Sequence, residues 1–92
     1  MPSKWTFLTN HAHVLLALAA DPDARLRDIA ERVGITERAT QLIVKDLTTE
    51  GYVTKAKVGR RNSYAITTGR TFRHPAESEV GLDELLRIFR TV

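Results

Sequence analysis

The feature that most constrains this chain lies at residues 26–36, Leu26-Arg27-Asp28-Ile29-Ala30-Glu31-Arg32-Val33-Gly34-Ile35-Thr36. Leu26, Ile29, Ala30 and Val33 recur at i, i+3, i+4 and i+7, which puts them on one face of a short helix. Ala30 is small, so a second helix can cross closely there. Gly34 comes directly after the last apolar residue, where a chain leaving a helix commonly turns through positive φ. Ile35 is apolar enough to plug the corner, and Thr36 is a favourable N-cap for the next helix. Two packed helices joined by so tight a turn form a helix-turn-helix.

The second helix is predicted over residues 37–50, with Gly51 as its stop. Its apolar face is Thr40, Ile43, Val44 and Leu47. The opposite face carries Arg38, Gln41, Leu42, Lys45 and Thr49. Arg and Lys suit guanine edges and phosphates, Gln suits adenine, and an apolar side chain suits a thymine methyl. An ordinary solvated face would also be polar, so the reading depends on what surrounds this helix. Residues 52–58, directly after it, form a β-prone run. Gly59-Arg60-Arg61-Asn62 then reads as a turn, and Ser63-Tyr64-Ala65-Ile66-Thr67 as the returning strand. Two arginines at the tip of an exposed ribbon add little to folding, because exposed charges stabilise weakly. They are well placed to grip phosphate or enter a minor groove.

With these residues in view, the chain resembles small winged-helix transcriptional regulators of the broad MarR/ArsR class. The resemblance is carried by Arg27 through Ala39, by Asp46-Leu47 with Glu50-Gly51-Tyr52-Val53, and by Gly59-Arg60-Arg61-Asn62-Ser63-Tyr64. The flanks Trp5 through His11 and Arg73-His74-Pro75 look like a compact one-domain branch of that class. Two positions depart from its usual pattern. Thr40 replaces an aliphatic core residue, and Leu42 stands on the exposed face where Arg or a polar residue is common. The resemblance implies an α+β winged helix: a three-helix helix-turn-helix core, a two-stranded β-wing and a C-terminal helix. It also implies binding of double-stranded DNA.

The charge distribution agrees. The formal net charge is only +3, but residues 51–75 hold Lys55, Lys57, Arg60, Arg61, Arg70 and Arg73 and no acid. A basic patch confined to one region is the electrostatic footprint of a polyanion partner. Ninety-two residues make one domain, and a chain of this size buries only about 60–65% of its unfolded surface, so association would add stability. The absence of cysteine excludes disulfides, thiolate zinc sites and cysteine nucleophiles, and fits a reducing cytoplasm.

Lys4, the apolar run 14–20 and the Ala17-Leu18-Ala19 triplet mimic a secretory signal. The basic stretch is thin, however, and cleavage there would delete a helix the core needs. The run is also shorter than the roughly 20 apolar residues of a membrane span. We read it as the first helix, capped by Thr9 or Asn10 and stopped by Asp21-Pro22-Asp23. It is apolar nearly all round, so one side should face the helix-turn-helix and the other should need a partner. Residues 1–3 are expected to be loose. Trp5, Phe7 and Leu8 should pack on the body or on a second subunit. Residues 68–78 read as a connector anchored by Phe72. In residues 81–92, Leu82, Leu85, Leu86 and Phe89 form one helical face, with Asp83 and Glu84 early and Arg87 and Arg90 late, as a helix macrodipole favours.

His11, His13 and His74 are too dispersed for a metal site, and read as helix-end and loop histidines with ordinary hydrogen bonds. No phosphate-binding glycine loop, paired-carboxylate motif or nucleophile elbow is present, so no enzymatic activity and no cofactor are expected. The expectation is thus a homodimeric, sequence-specific DNA-binding transcriptional regulator of a prokaryotic cytoplasm, associated with the nucleoid. Residues 1–68 would form the DNA-binding domain, and residues 69–92 a connector and dimerisation helix. Thr36, Glu37, Arg38, Gln41, Leu42, Lys45, Lys55, Lys57, Arg60, Arg61 and Asn62 would meet DNA. Trp5, Phe7, Leu15, Leu82, Leu85, Leu86 and Phe89 would form the dimer interface. No membrane partner is expected, and nothing argues for a small-molecule effector. Two alternatives remain at this point: a winged helix that docks another protein, and a chromosome-organising protein with little sequence preference.

Overall fold

A computed structural model of the chain describes residues 5–67 and 69–89. The expectations for residues 1–3 and for Arg90 lie outside them. Helix α1 spans Asn10–Ala20, α2 spans Leu26–Val33 and α3 spans Glu37–Thr49. Strands β1, Val53–Val58, and β2, Arg61–Ile66, come next, then a single 3-10 turn at Pro75–Glu77 and helix α4, Leu82–Ile88.

Local chemistry explains the helix ends. Thr9 caps α1, its side chain accepting from the Ala12 amide at 3.4 Å. Gly34 ends α2 at φ 88°, and the Gly34 and Ile35 amides both donate to the Ala30 carbonyl. This left-handed cap closes the turn in two residues, so that Thr36 can start α3 by accepting from the Ala39 amide at 3.0 Å. Thr40 is fully buried, and its hydroxyl donates back to the Thr36 carbonyl at 3.0 Å. That bond is how a threonine occupies an aliphatic position: the methyl packs and the polar atom is satisfied within its own helix.

Val14, Leu18, Ile29 and Val53 are fully buried beside it, and the core is completed by Ile43, Val44, Leu47, Tyr52 and Tyr64. The strands pair antiparallel, from Val53 opposite Ile66 to Val58 opposite Arg61. The turn is therefore the two-residue Gly59-Arg60, not the four-residue tip expected from the sequence. Gly59 has φ 65°, and among the described residues no non-glycine residue has positive φ. A hairpin with its one left-handed residue at the first turn position fits type II′, so the strands zip up through Arg61 and Asn62. The Tyr64 amide donates to the Pro22 carbonyl at 3.0 Å, fastening β2 to the loop after α1.

The C-terminal segment folds back on the same core. The Phe72 amide donates to the Val80 carbonyl and the Leu82 amide to the Arg70 carbonyl, closing residues 70–82 into a loop. Phe72 packs on the core as expected. Leu82 is buried at 3% exposure in the same cluster as Leu15, with Leu85 packed beside them. This corrects two assignments. Leu15 and Leu82 are interior residues of the single chain, so neither is free to meet a second copy. Between the Leu15 side of α1 and Leu82 and Leu85 of α4 lies a pocket of about 250 Å³, lined also by Leu47, Tyr52 and Phe72.

Candidate nucleic-acid interface

Helix α3 turns its apolar stripe into the core, which leaves Arg38, Gln41, Leu42 and Lys45 exposed together, Leu42 at 55%. Glu37 stands exposed in its first turn, where a carboxylate complements the macrodipole. Thr36 is also exposed, but its hydroxyl is committed to the cap. Paired residues of an antiparallel ladder share a face, so the register puts Lys55, Lys57 and Asn62 on the side of the ribbon that carries Val53 and Tyr64. That side faces α3. Between helix and ribbon lies a groove of about 620 Å³ lined by Gln41, Lys45 and Thr48 of α3 and by Thr54, Lys55 and Asn62 of the wing. Its lining includes no acid. Burial pushes the Tyr64 phenol at its floor up from its ordinary pKa, while the neighbouring Asn62 side chain pulls the other way.

The basic residues divide into two sets. Arg38, Lys45, Lys55, Lys57 and Arg60 have no hydrogen-bond or ion-pair partner among the described residues. Others that the sequence grouped with them are occupied. Arg70 donates to the Glu50 carbonyl at the end of α3 at 2.6 Å and lies over the Tyr52 ring. Arg73 lies 3.9 Å from the Glu50 carboxylate. The basic segment 51–75 is thus less uniformly available than its composition suggests.

Arg61 also departs from expectation. It is a strand residue, and its guanidinium donates to the Asp23 carbonyl at 3.0 Å, bracing the ribbon against the loop after α1. Arg60→Ala should therefore leave the thermal midpoint unchanged, whereas Arg61→Ala should lose about 1 kcal/mol of stability with its bond. Equal midpoints for the two variants in thermal melts would remove this bracing role. Arg25, just before α2, lines a cleft with Arg60, Arg61 and Asn62 and was not singled out from the sequence. Its only signal there was a cation in place of a capping residue.

The three histidines hold ordinary bonds, those of His13 and His74 local and that of His11 reaching from α1 to α3. His11 Nε2 is 2.9 Å from Asp46 Oδ2, His13 Nδ1 is 3.2 Å from Asn10 Oδ1, and His74 Nδ1 accepts from the Ala76 amide. Among the described residues no helix is long and apolar enough to cross a membrane.

The family model for winged helix-turn-helix DNA-binding domains matches residues 9–54, half of the chain and the stretch that runs from α1 into β1. The chain belongs to the winged helix-turn-helix DNA-binding family. Solved structures agree with this winged helix. The PcaV transcriptional regulator of Streptomyces coelicolor, in complex with its natural ligand, is 31% identical over 73% of this chain and 49% of that one, with a TM-score of 0.57. Lactococcus lactis ZitR in complex with DNA is 20% identical over 71% and 46%, with a TM-score of 0.57. A further ZitR structure, a zinc-responsive MarR family member, is 22% identical over 71% and 46%, with a TM-score of 0.54. This winged helix spans about half the length of those regulators. No curated protein matches it significantly.

Proposed function

We propose that this winged helix is a non-enzymatic transcriptional regulator that reads double-stranded DNA sequence with α3 in a major groove. The wing then flanks it on the backbone or minor groove. The observation that carries the reading is the groove between α3 and the wing, whose lining includes Lys45 and Lys55 and no acid. A phosphate backbone is the ridge that separates a major from a minor groove. A helix on one side of that ridge and a ribbon on the other leave a basic trough for it. The likeness to ZitR bound to DNA supports the same reading at the level of fold.

Sequence preference should reside in Arg38 and Gln41, whose side chains have no competing protein bond. Replacing both by Ala should relax preference at particular base pairs, at about 1–3 kcal/mol for each well-made base pairing removed. Selection from a random duplex library checks this. Identical preferences for the wild type and the double variant would move recognition off α3. Random duplex bound as tightly as the selected site, across salt, would favour a chromosome-organising role. No duplex binding at all would leave the exposed Leu42 as a protein-docking residue.

We also propose that the protein acts as a homodimer. With Leu15 and Leu82 interior, the proposed interface shifts to what remains outside: Phe7 at 93% exposure, Ile88 at 72% and Phe89 at 51%, with Trp5 set edge-to-face on Phe7 at 5.2 Å. The half-buried Leu85 and Leu86 lie behind them on α4. A two-fold pair would set its recognition helices about one DNA turn apart, and so would favour a pseudo-palindromic site. Sedimentation at micromolar concentration should show a dimer, and Ile88→Asp with Phe89→Asp should give a folded monomer. A wild-type monomer, or a dimer unaffected by both changes, sinks the proposal.

A further inference from the structure

The second cleft on this face, about 370 Å³, lies between the loop after α1, the start of α2 and the tip of the wing. Arg25, Arg60 and Arg61 all line it, and Asp23 is the only acid that does so. Among the described residues only Arg61 of the three guanidiniums has a partner, and that partner is the Asp23 backbone carbonyl. Arg61 is thereby held in place without its charge being neutralised. Arg25 is harder to explain by folding. It occupies the N-cap position of α2, where its side chain makes no capping bond. Arginine is not a favoured N-cap, and a cation there opposes the positive end of the helix dipole. Two like charges sharing a cleft with a third add repulsion. An anion in the cleft turns each of these unfavourable placements into a favourable one.

The position of the cleft says which anion. Leu26, Asn62 and Tyr64 line both this cleft and the groove between α3 and the wing. A strand whose backbone lies in that groove continues past Arg25 and Arg60. We propose that Arg25 and Arg60 together grip one backbone phosphate of the bound duplex, while Arg61, held on the Asp23 carbonyl, braces the wing tip beside them. This inference rests on the DNA-binding reading above and adds to it a contact residue, Arg25, outside α3 and outside the exposed ribbon.

One phosphate shared by two cations has a signature in salt titrations. The slope of log affinity against log salt counts the phosphates neutralised, at about 0.9 for each. Arg25→Gln should weaken duplex binding by about two- to fivefold, equally on all sequences, the range of one exposed ion pair. Its slope should stay near the wild-type value, because Arg60 still neutralises the phosphate. Arg25→Gln with Arg60→Gln should lower the slope by about one. Arg25→Lys should retain wild-type affinity, and Arg27→Gln, exposed on the same turn but outside the cleft, should change nothing. Far-UV circular dichroism of each variant checks folding, and Arg60→Gln provides the same single-variant test from the wing side. Wild-type affinity in Arg25→Gln overturns the shared site. So does a slope that falls by about two in the double variant, and so does an equal loss in Arg27→Gln. In all three cases wild-type duplex binding leaves the proposed function standing. A wild type that binds no duplex overturns both.

Discussion

Replacing Lys45, Lys55 and Lys57 together by alanine should lower the salt slope of duplex binding by roughly three units, since each neutralised phosphate contributes about 0.9. At up to about 1 kcal/mol for each exposed ion pair, the loss approaches ~3 kcal/mol, or about 100-fold in affinity near 0.1 M salt. The loss should fall evenly on specific and random duplexes, because phosphate contacts carry no sequence information. The fold should survive, since none of the three lysines is buried and none has a partner to lose among the described residues. Fluorescence anisotropy across salt at matched temperature gives both numbers. A slope unchanged in the triple variant would show that duplex DNA does not lie in the groove between α3 and the wing.

The second large effect is on stability. Leu18 is fully buried in the cluster that also holds Val14, Ile29, Ile43 and Val44. Leu18→Ala removes apolar burial and leaves a cavity that packed helices close only in part, so it should cost about 3–5 kcal/mol. A domain of this length has roughly 5–14 kcal/mol in total, and at about 4–8 °C for each kcal/mol the midpoint should fall on the order of 20 °C. Leu42→Ala is the matched control, because the same substitution on the exposed face of α3 should stay within about 0.5 kcal/mol. Thermal melts of both proteins decide it. Leu18→Ala within a few degrees of wild type would mean that α1 does not form the centre of the core.

The helix-turn-helix was legible because its determinants are local. The period of Leu26, Ile29, Ala30 and Val33, the glycine at φ 88° and the Thr36 cap all act within a few residues of one another. The existence of the wing was legible for the same reason, from alternation on both sides of Gly59. Its tip was misread by two residues. Several residues near Gly59 tolerate a turn, and only the pairing of Val58 with Arg61 selects among them. The exposed face of α3 was also legible, since burying one helical face settles what the other presents.

What the sequence by itself determined, then, is which residues must be buried and where the chain must turn. What only the tertiary structure decided is which partner each residue meets. An apolar stripe on α1 and another on α4 demand burial, but a stripe packs equally well on its own chain or on a second copy. In the folded chain the closed loop over residues 70–82 brings Leu82 into the same buried cluster as Leu15. Charges obey the same limit. Arg60, Arg61 and Arg70 read alike along the chain, yet among the described residues one is free, one braces the wing on Asp23 and one closes the end of α3 at Glu50. A charge acts through distance, and distances between residues 20 or 38 positions apart exist only once the chain has folded.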